Sequence, residues 1–126
     1  MTTKAKGALR SGHHITIRES TAQVKVLVGG EVVAESRRAL ALDETGLPTR
    51  YYLPPQDVRT ELFERSATTT RCPFKGTAAY WTIRAAQREA VDAAWSYPDP
   101  LEERSAIRGH FAFYPERVDE IRVERG

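Results

Sequence analysis

The clearest pattern in the chain is a pair of β-branched runs separated by two glycines. Residues 24–28 precede Gly29 and Gly30, and residues 31–36 follow them. β-Branched residues favour strands, and glycine readily adopts the positive φ angles of a two-residue hairpin turn. The pattern therefore predicts a β-hairpin.

Further strands are predicted where short apolar or alternating segments end at Gly, Pro or charged residues. These segments are residues 15–17, 39–42, 51–53, 68–70 and 77–83, one around Ile107, Phe111 and Phe113, and one around Val118, Ile121 and Val123. Residues 87–94 have helical propensity, but the segment is short and closed by Pro98, which favours extended structure. Helix and strand both remain open for that segment.

One helix is predicted, over residues 55–65. Pro55 suits a first helical turn, and Asp57 lies near the positive end of the helix dipole. Val58 and Leu62 belong to an apolar stripe at helical spacing. Many short strands and one short helix predict a mainly β domain, with α+β as the alternative.

Length and composition predict a single soluble domain. The chain has 126 residues and one cysteine, so an internal disulfide is excluded. No apolar run approaches the length of a membrane span, and residues 1–14 lack the apolar core of a signal peptide. We expect a mobile lead-in over residues 1–14, one domain over residues 15–126, a cytoplasmic location and no membrane partner.

The charge balance argues against a nucleic-acid partner. Nineteen basic and seventeen acidic residues give a formal net charge of +2. Residues 1–42 hold seven basic and three acidic residues, so the excess is N-terminal. The remainder is mixed, without the basic stripe and interleaved aromatics that nucleic-acid binders typically show.

The common catalytic and metal-binding motifs are missing from the sequence. There is no Gly-x-Gly-x-x-Gly, Walker lysine, His-Glu-x-x-His, Cys-x-x-Cys or Gly-x-Ser-x-Gly motif. His13, His14, Cys72 and His110 do not have the spacing of a structural zinc site. We predict no metal ligands from motifs, although carboxylate sites have no fixed spacing, and the cofactor remains unknown.

Three segments concentrate unusual residues. They read Tyr-Tyr-x-Pro-x-x-Asp-Val at residues 51–58, Cys-Pro-Phe-Lys-Gly at residues 72–76 and Ala-Trp-x-Tyr-Pro-x-Pro at residues 94–100. Each is weakly specific alone, but together and in this order they resemble the DUF427 family. The resemblance extends over about residues 24–123.

The resemblance implies a compact, mainly antiparallel β domain with a short helix, of the β-tent kind. The family carries a nucleotidyltransferase-like label, and its function is uncharacterised. Metal-dependent nucleotidyl transfer generally uses paired carboxylates beside a Gly-Ser turn. The acidic neighbours at residues 43–44, 102–103 and 119–120 look like surface pairs without such a turn. A transferase activity is therefore weakly supported, and whether the protein is an enzyme stays open.

Four polar or reactive residues are candidates for chemistry, each with an ordinary alternative. Lys75, between Pro73 and Gly76, is a candidate for anion capture or a nucleophilic amine, or is a solvated loop lysine. Arg50 is a candidate carboxylate or phosphate clamp, or a surface arginine. Asp57 is the candidate acid–base group, or serves a helix N-terminus. Cys72 is a candidate nucleophile, or a small buried residue.

The aromatic residues are candidates for pocket walls. Tyr51 and Tyr52 must face opposite sides of a strand, as must Tyr80 and Trp81. The candidate catalytic residues are Asp57 and Lys75. The candidate ligand-binding residues are Arg50, Tyr52, Cys72, Lys75, Tyr80, Trp95 and Tyr97.

These residues predict one pocket, bounded by residues 50–57, 72–76 and 95–98. The hypothesis is binding of an anionic, nucleotide-like small molecule, with Lys75 and Arg50 on the anion and Tyr52 or Trp95 against the apolar part. The alternative is a non-catalytic interaction module, such as a homodimer that uses an exposed sheet edge or face.

Overall fold

Ten β-strands form most of the regular structure in residues 12–125, the part of the chain that the computed structural model describes. In chain order they are β1 (Ile15–Glu19), β2 (Gln23–Val28), β3 (Glu31–Ser36), β4 (Leu40–Glu44), β5 (Arg50–Tyr52), β6 (Phe63–Cys72), β7 (Gly76–Ala85), β8 (Arg88–Ser96), β9 (Phe111–Phe113) and β10 (Glu120–Glu124). The mainly β prediction is confirmed. The prediction of a lead-in lies outside the described residues for positions 1–11.

The strands pair antiparallel in three sheets. Their strand orders are β1-β4-β5, β10-β2-β3 and β6-β7-β8-β9. One isolated bridge, between Leu53 and Phe111, connects the end of β5 with β9, and another, between Ala34 and Val58, connects β3 with the segment before β6. In the first bridge both backbone N–H groups donate across the pair, at 2.8 and 2.9 Å. Because residues of β2 and β3 also share one buried apolar cluster with residues of β7, β8 and β9, the described chain forms one domain.

The hairpin predicted around the two glycines is confirmed. β2 and β3 pair antiparallel, and Gly29 and Gly30 adopt φ angles of 62° and 81°. Asp119, which precedes β10, accepts a hydrogen bond of 2.7 Å from the Gly30 backbone N–H. The turn is therefore anchored to the strand that covers the other edge of β2.

The helix predicted over residues 55–65 is wrong in its extent. Only two short 3₁₀ helices form there, Pro55–Asp57 and Thr60–Leu62, and β6 begins immediately afterwards. Val58, between them, is extended and bridges Ala34. This tertiary pairing satisfies backbone groups that a continuous helix would have used internally, so it overrides the local propensity. Two further 3₁₀ helices are Glu102–Ile107 and Pro115–Arg117.

The ambiguous segment at residues 87–94 is extended, as favoured above. Residues 88–94 lie within β8, which pairs with β7 on one side and β9 on the other. Ala86 and Gln87 have φ angles of 50° and 73° and form the tight turn between β7 and β8. None of the helices in the described chain is long and apolar enough to cross a membrane.

The buried apolar residues form two separate clusters, and neighbouring aromatic residues divide between them. Tyr51 packs against the cluster that contains Val24 and Phe113, whereas Tyr52 belongs to the second cluster. Trp81 and Tyr80 divide in the same way. The predicted opposite orientation of each pair is confirmed, and the second cluster lies beside the cavity described next.

Candidate functional site

A cavity of about 170 Å³ lies beside the second core cluster. Its aromatic wall consists of Tyr52, Tyr80, Trp95, Tyr97 and Tyr114. Its charged groups are Glu44, Arg50 and Lys75. Leu42, Leu47 and Pro48 complete the lining. The cavity thus combines an apolar wall with a few charged groups, as small-molecule sites do.

The pairing of β4 with β5 explains why one side of the cavity has this composition. Leu42 lies opposite Arg50, and Leu40 lies opposite Tyr52. Side chains two residues apart on a strand share a face. Leu42 and Glu44 therefore project on the same side as Arg50 and Tyr52, towards the cavity.

Lys75 reaches the cavity from the tight turn between β6 and β7. Its backbone N–H donates to the Cys72 carbonyl at 3.2 Å, and its own carbonyl accepts from the Leu101 N–H at 2.9 Å. Gly76 has a φ of +124°, and a Cβ there would lie 3.3 Å from the Pro100 Cα. Glycine suits both the positive φ and this close approach, so the turn that carries Lys75 is held against the segment at Pro100.

Lys75 and Glu44 form a buried ion pair. The Lys75 Nζ donates to the Glu44 Oε1 at 2.6 Å, and only 10% and 8% of the two side chains are exposed. The His13 Nε2 lies 3.3 Å from the other Glu44 oxygen, and the His13 ring stacks on Phe74 at 4.0 Å between centroids. Glu44 therefore neutralises Lys75, which differs from the free anion-binding lysine of the sequence hypothesis.

Arg50 is the cation at this site that has no acidic partner among residues 12–125. Its guanidinium carbon lies 5.5 Å from the Trp95 ring centroid and 5.8 Å from the Tyr114 ring centroid. Cation–π contacts hold the guanidinium without neutralising its charge. Its hydrogen-bond donors consequently remain able to bind an anion at the cavity.

Hydrogen bonds fix the aromatic wall. The Trp95 Nε1 donates to the Tyr52 hydroxyl at 3.1 Å, and the Tyr80 and Tyr114 hydroxyls lie 3.0 Å apart. Burial raises the pKa of Tyr52 and of Tyr97 well above the usual tyrosine value. Burial, with the hydrogen bond to Tyr80, raises the pKa of Tyr114 to about 12. These phenols are therefore uncharged hydrogen-bond donors at neutral pH.

Six of the predicted site residues come together at the cavity. They are Arg50, Tyr52, Lys75, Tyr80, Trp95 and Tyr97.

Asp57, the predicted acid–base group, does not line this cavity. It lies in a different surface depression, where its Oδ2 accepts from the Ser36 hydroxyl at 2.7 Å and from the Arg38 Nε at 2.9 Å. The Arg38 hydrogen bond lowers the pKa of Asp57 below its usual value. Asp57 is thus an ionised link between the end of β3 and the Pro55–Asp57 helix.

Cys72 also stays outside the lining. It is half-buried and packs against the second core cluster behind the cavity. The structure therefore gives it the packing role that was the alternative above.

Sequence reasoning missed Glu44 and Tyr114. The neighbouring acids Asp43 and Glu44 were interpreted as a surface pair, but only Asp43 is one: it pairs with Arg18 on the exposed side. The alternation of Leu40, Leu42 and Glu44 on β4 could have indicated the inward direction of Glu44. Tyr114 has no comparable local signal, since it reaches the cavity only through the path of the chain after β9.

Fold and cavity together define a mainly β domain with an aromatic-lined, charged pocket. Residues 16–124 match the model of a domain of unknown function, DUF427. Because the match covers most of the chain, the protein belongs to the DUF427 family. A search of curated proteins finds no match. In residues 12–125, no group of three or more His, Cys, Asp and Glu side chains is placed to hold a metal ion.

Proposed function

We propose that this domain binds a small anionic molecule in the cavity, either a short acid or an anion that carries a planar ring. The observation that carries the proposal is the position of Arg50. Its guanidinium faces an aromatic cavity and has no acidic partner in the described chain. A buried or half-buried cation without a counterion favours an anionic ligand.

The other groups of the cavity fit such a ligand. Glu44 and Lys75 cancel, so Arg50 leaves the site with one net positive charge. Tyr97 adds an uncharged hydroxyl donor, and Trp95 offers an apolar face for a ring. Donors that bind an anion together with aromatic surface provide both orientation and affinity.

The volume limits the part of the ligand that enters. An engineered protein cavity of about 150 Å³ binds benzene. The present cavity, at about 170 Å³, therefore accommodates one ring or a short acid. A nucleotide would place only its base or one phosphate inside, with the remainder at the open mouth.

The proposal concerns binding, not a transferase reaction. The acid–base group expected for such a reaction, Asp57, lies in another depression and is engaged by Arg38 and Ser36. Turnover would have to depend on groups of the cavity itself.

A thermal-shift panel of small carboxylates, sugar phosphates and nucleotides tests the proposal. A ligand at about 100 times its Kd stabilises the fold by about 2.7 kcal/mol, which corresponds to several degrees for a domain of this size. We expect the shift to disappear in Arg50→Gln. Arg65→Gln is the matched control, because Arg65 also stacks on a tryptophan, Trp81, at 5.7 Å but lines a different depression.

Two results would contradict the proposal. One is a panel in which no anion stabilises the protein, and the other is a stabilising anion whose effect survives Arg50→Gln. A flat panel combined with concentration-dependent self-association would favour the alternative of an interaction module.

A further inference from the structure

Lys75 combines three features that lysines rarely share. It is buried, it lines a cavity, and a carboxylate contacts its amine directly at 2.6 Å. The other lysine in the described chain, Lys25, lies on β2 away from the cavity. The same cavity is lined by Arg50, which has no acidic partner among residues 12–125, and by uncharged phenols.

We propose that Lys75 forms a reversible imine with a small oxo acid, a molecule that carries both a carboxylate and an aldehyde or ketone group. The inference rests on the proposed function, because it assigns the ligand of the same cavity to a chemical class. Arg50 binds the carboxylate, and Lys75 attacks the carbonyl carbon. Desolvated lysines are the ones that proteins use to form Schiff bases, and Glu44 beside the amine can accept the proton that the nucleophile must lose.

The register of β4 and β5 places Arg50 near the Glu44–Lys75 pair. Arg50 lies opposite Leu42, and Glu44 is two residues further along β4, so Arg50 and Glu44 are diagonal neighbours. Such neighbours have Cα atoms roughly 7–8 Å apart. Lys75 contacts Glu44 directly, so an oxo acid whose carboxylate binds Arg50 would direct its carbonyl group towards the Lys75 amine.

The proton movements balance within the cavity. The Lys75 ammonium gives a proton to Glu44 along their hydrogen bond, and the neutral amine forms a bond to the carbonyl carbon. The carbonyl oxygen takes up that proton from Glu44 and becomes a hydroxyl. Glu44 then accepts the second proton from the nitrogen and returns it to the departing hydroxyl, which leaves as water. The net reaction converts an ammonium and a carbonyl into a protonated imine and one water molecule.

The buried charge is the same before and after this reaction. A protonated imine carries one positive charge, as the ammonium did, so Glu44 keeps a cationic partner. Removing a partner from a buried ion pair is strongly unfavourable, and this step avoids that cost. The aromatic wall limits the access of water to the imine carbon, which slows the reverse reaction.

Reductive trapping of the full chain tests the inference. The protein is incubated with pyruvate, or with glyoxylate as a smaller probe, in the presence of sodium cyanoborohydride, and peptide mass mapping locates the adduct. Because a bound ligand presents its carbonyl at high effective concentration, we expect labelling of Lys75 to exceed that of Lys25 by about tenfold or more. Lactate, which has the carboxylate but no ketone, should compete with labelling.

Variants separate the imine from general reactivity. Lys75→Arg keeps the positive charge and should abolish the adduct in the cavity. Glu44→Gln and Arg50→Gln both keep Lys75, and each should reduce the amount of adduct. Lys25→Arg is the matched control and should leave labelling of Lys75 unchanged. Peptide mapping of the wild-type protein shows whether Lys75 carries the adduct even if a cavity variant folds poorly.

The outcomes distinguish this inference from the proposed function. Labelling of Lys75 that is no greater than that of Lys25, or that is unaffected by Arg50→Gln in a folded protein, would overturn the imine. If pyruvate and lactate both raise the melting temperature without an adduct at Lys75, the imine is wrong and anion binding stands. If neither raises it and no anion of the panel does, the proposed function itself is wrong.

Discussion

At the scale of single residues, the cavity depends on how each charge is compensated. Lys75 and Glu44 compensate each other in a buried position, whereas Arg50 rests on aromatic faces and keeps its charge available. Asp57 was an equally reasonable candidate from its residue type, but Ser36 and Arg38 donate hydrogen bonds to its carboxylate outside the cavity. The type of a residue predicts its chemistry, while its partners decide whether that chemistry is available to a ligand.

The buried ion pair leads to a prediction about stability. Lys75→Met leaves the Glu44 carboxylate buried without its main partner, and we expect a loss of about 3–5 kcal/mol in the free energy of unfolding. The double variant Glu44→Leu with Lys75→Met removes both charges and should recover most of that loss. Denaturant unfolding of the two variants measures the difference.

The matched control uses the neighbouring exposed pair. Arg18 on β1 and Asp43 on β4 lie on paired strands, and Asp43 precedes Glu44 in the chain; 53% and 41% of the two side chains are exposed. Arg18→Met should change the free energy of unfolding by no more than about 1 kcal/mol. An equally small change in Lys75→Met would contradict the view that burial makes the Glu44–Lys75 pair important.

At the scale of elements, turns hold the strands in the register that builds the site. The β6–β7 turn places Lys75, and the β2–β3 turn holds β2 against its two neighbours. The two glycines of the β2–β3 turn look equivalent in the sequence. They differ in the structure, because Gly29 lies against the turn between β7 and β8 and Gly30 faces open space.

We expect the two glycines to respond differently to alanine. In Gly29→Ala, the new Cβ would lie 2.6 Å from the Ala85 carbonyl oxygen, in addition to the cost of a positive φ. In Gly30→Ala, no atom lies within 4 Å of the new Cβ, so the cost is confined to the left-handed backbone, about 1–2 kcal/mol. Thermal unfolding should show Gly29→Ala to be the less stable variant, and equal stabilities would refute this explanation.

At the scale of the whole molecule, the cavity exists only because distant segments meet. Its phenols come from β5, β7 and the segments that follow β8 and β9. The Leu53–Phe111 bridge connects the sheet of β5 with the sheet of β9 and thereby brings Tyr52 close to Trp95. Loss of the fold would separate these groups and return the phenols to water.

Their raised pKa values predict an alkaline limit to stability. Tyr52, Tyr97 and Tyr114 all have a pKa above the ordinary value of 10.0 in the folded chain. Above about pH 10 the folded state therefore binds more protons than the unfolded state, so the free energy of unfolding falls as the pH rises. Below that pH these groups do not make the free energy of unfolding depend on pH. Denaturant unfolding between neutral pH and pH 11 measures the effect.

A single phenol accounts for a defined part of this slope. Tyr97→Phe should reduce the fall by up to about 1.4 kcal/mol per pH unit above pH 10. An unchanged slope in that variant would show that Tyr97 ionises equally easily in the folded and unfolded chains.

The sequence by itself determined the features that depend on local periodicity and backbone preference. The Gly29-Gly30 hairpin and the opposite orientation of Tyr51 and Tyr52 were both predictable, because turn geometry and strand alternation involve only neighbouring residues. The same regularity, together with the motifs of the family, identified six residues of the cavity.

Only the tertiary structure decided which charges meet. The helix expected over residues 55–65 gave way to extended structure because Val58 bridges Ala34 and the Arg59 N–H donates to the Val33 carbonyl on that distant strand. Glu44 became the partner of Lys75, and Asp57 was held away from the cavity by Arg38. Contacts between residues far apart in the chain depend on how the sheets are joined, and no local pattern records that path.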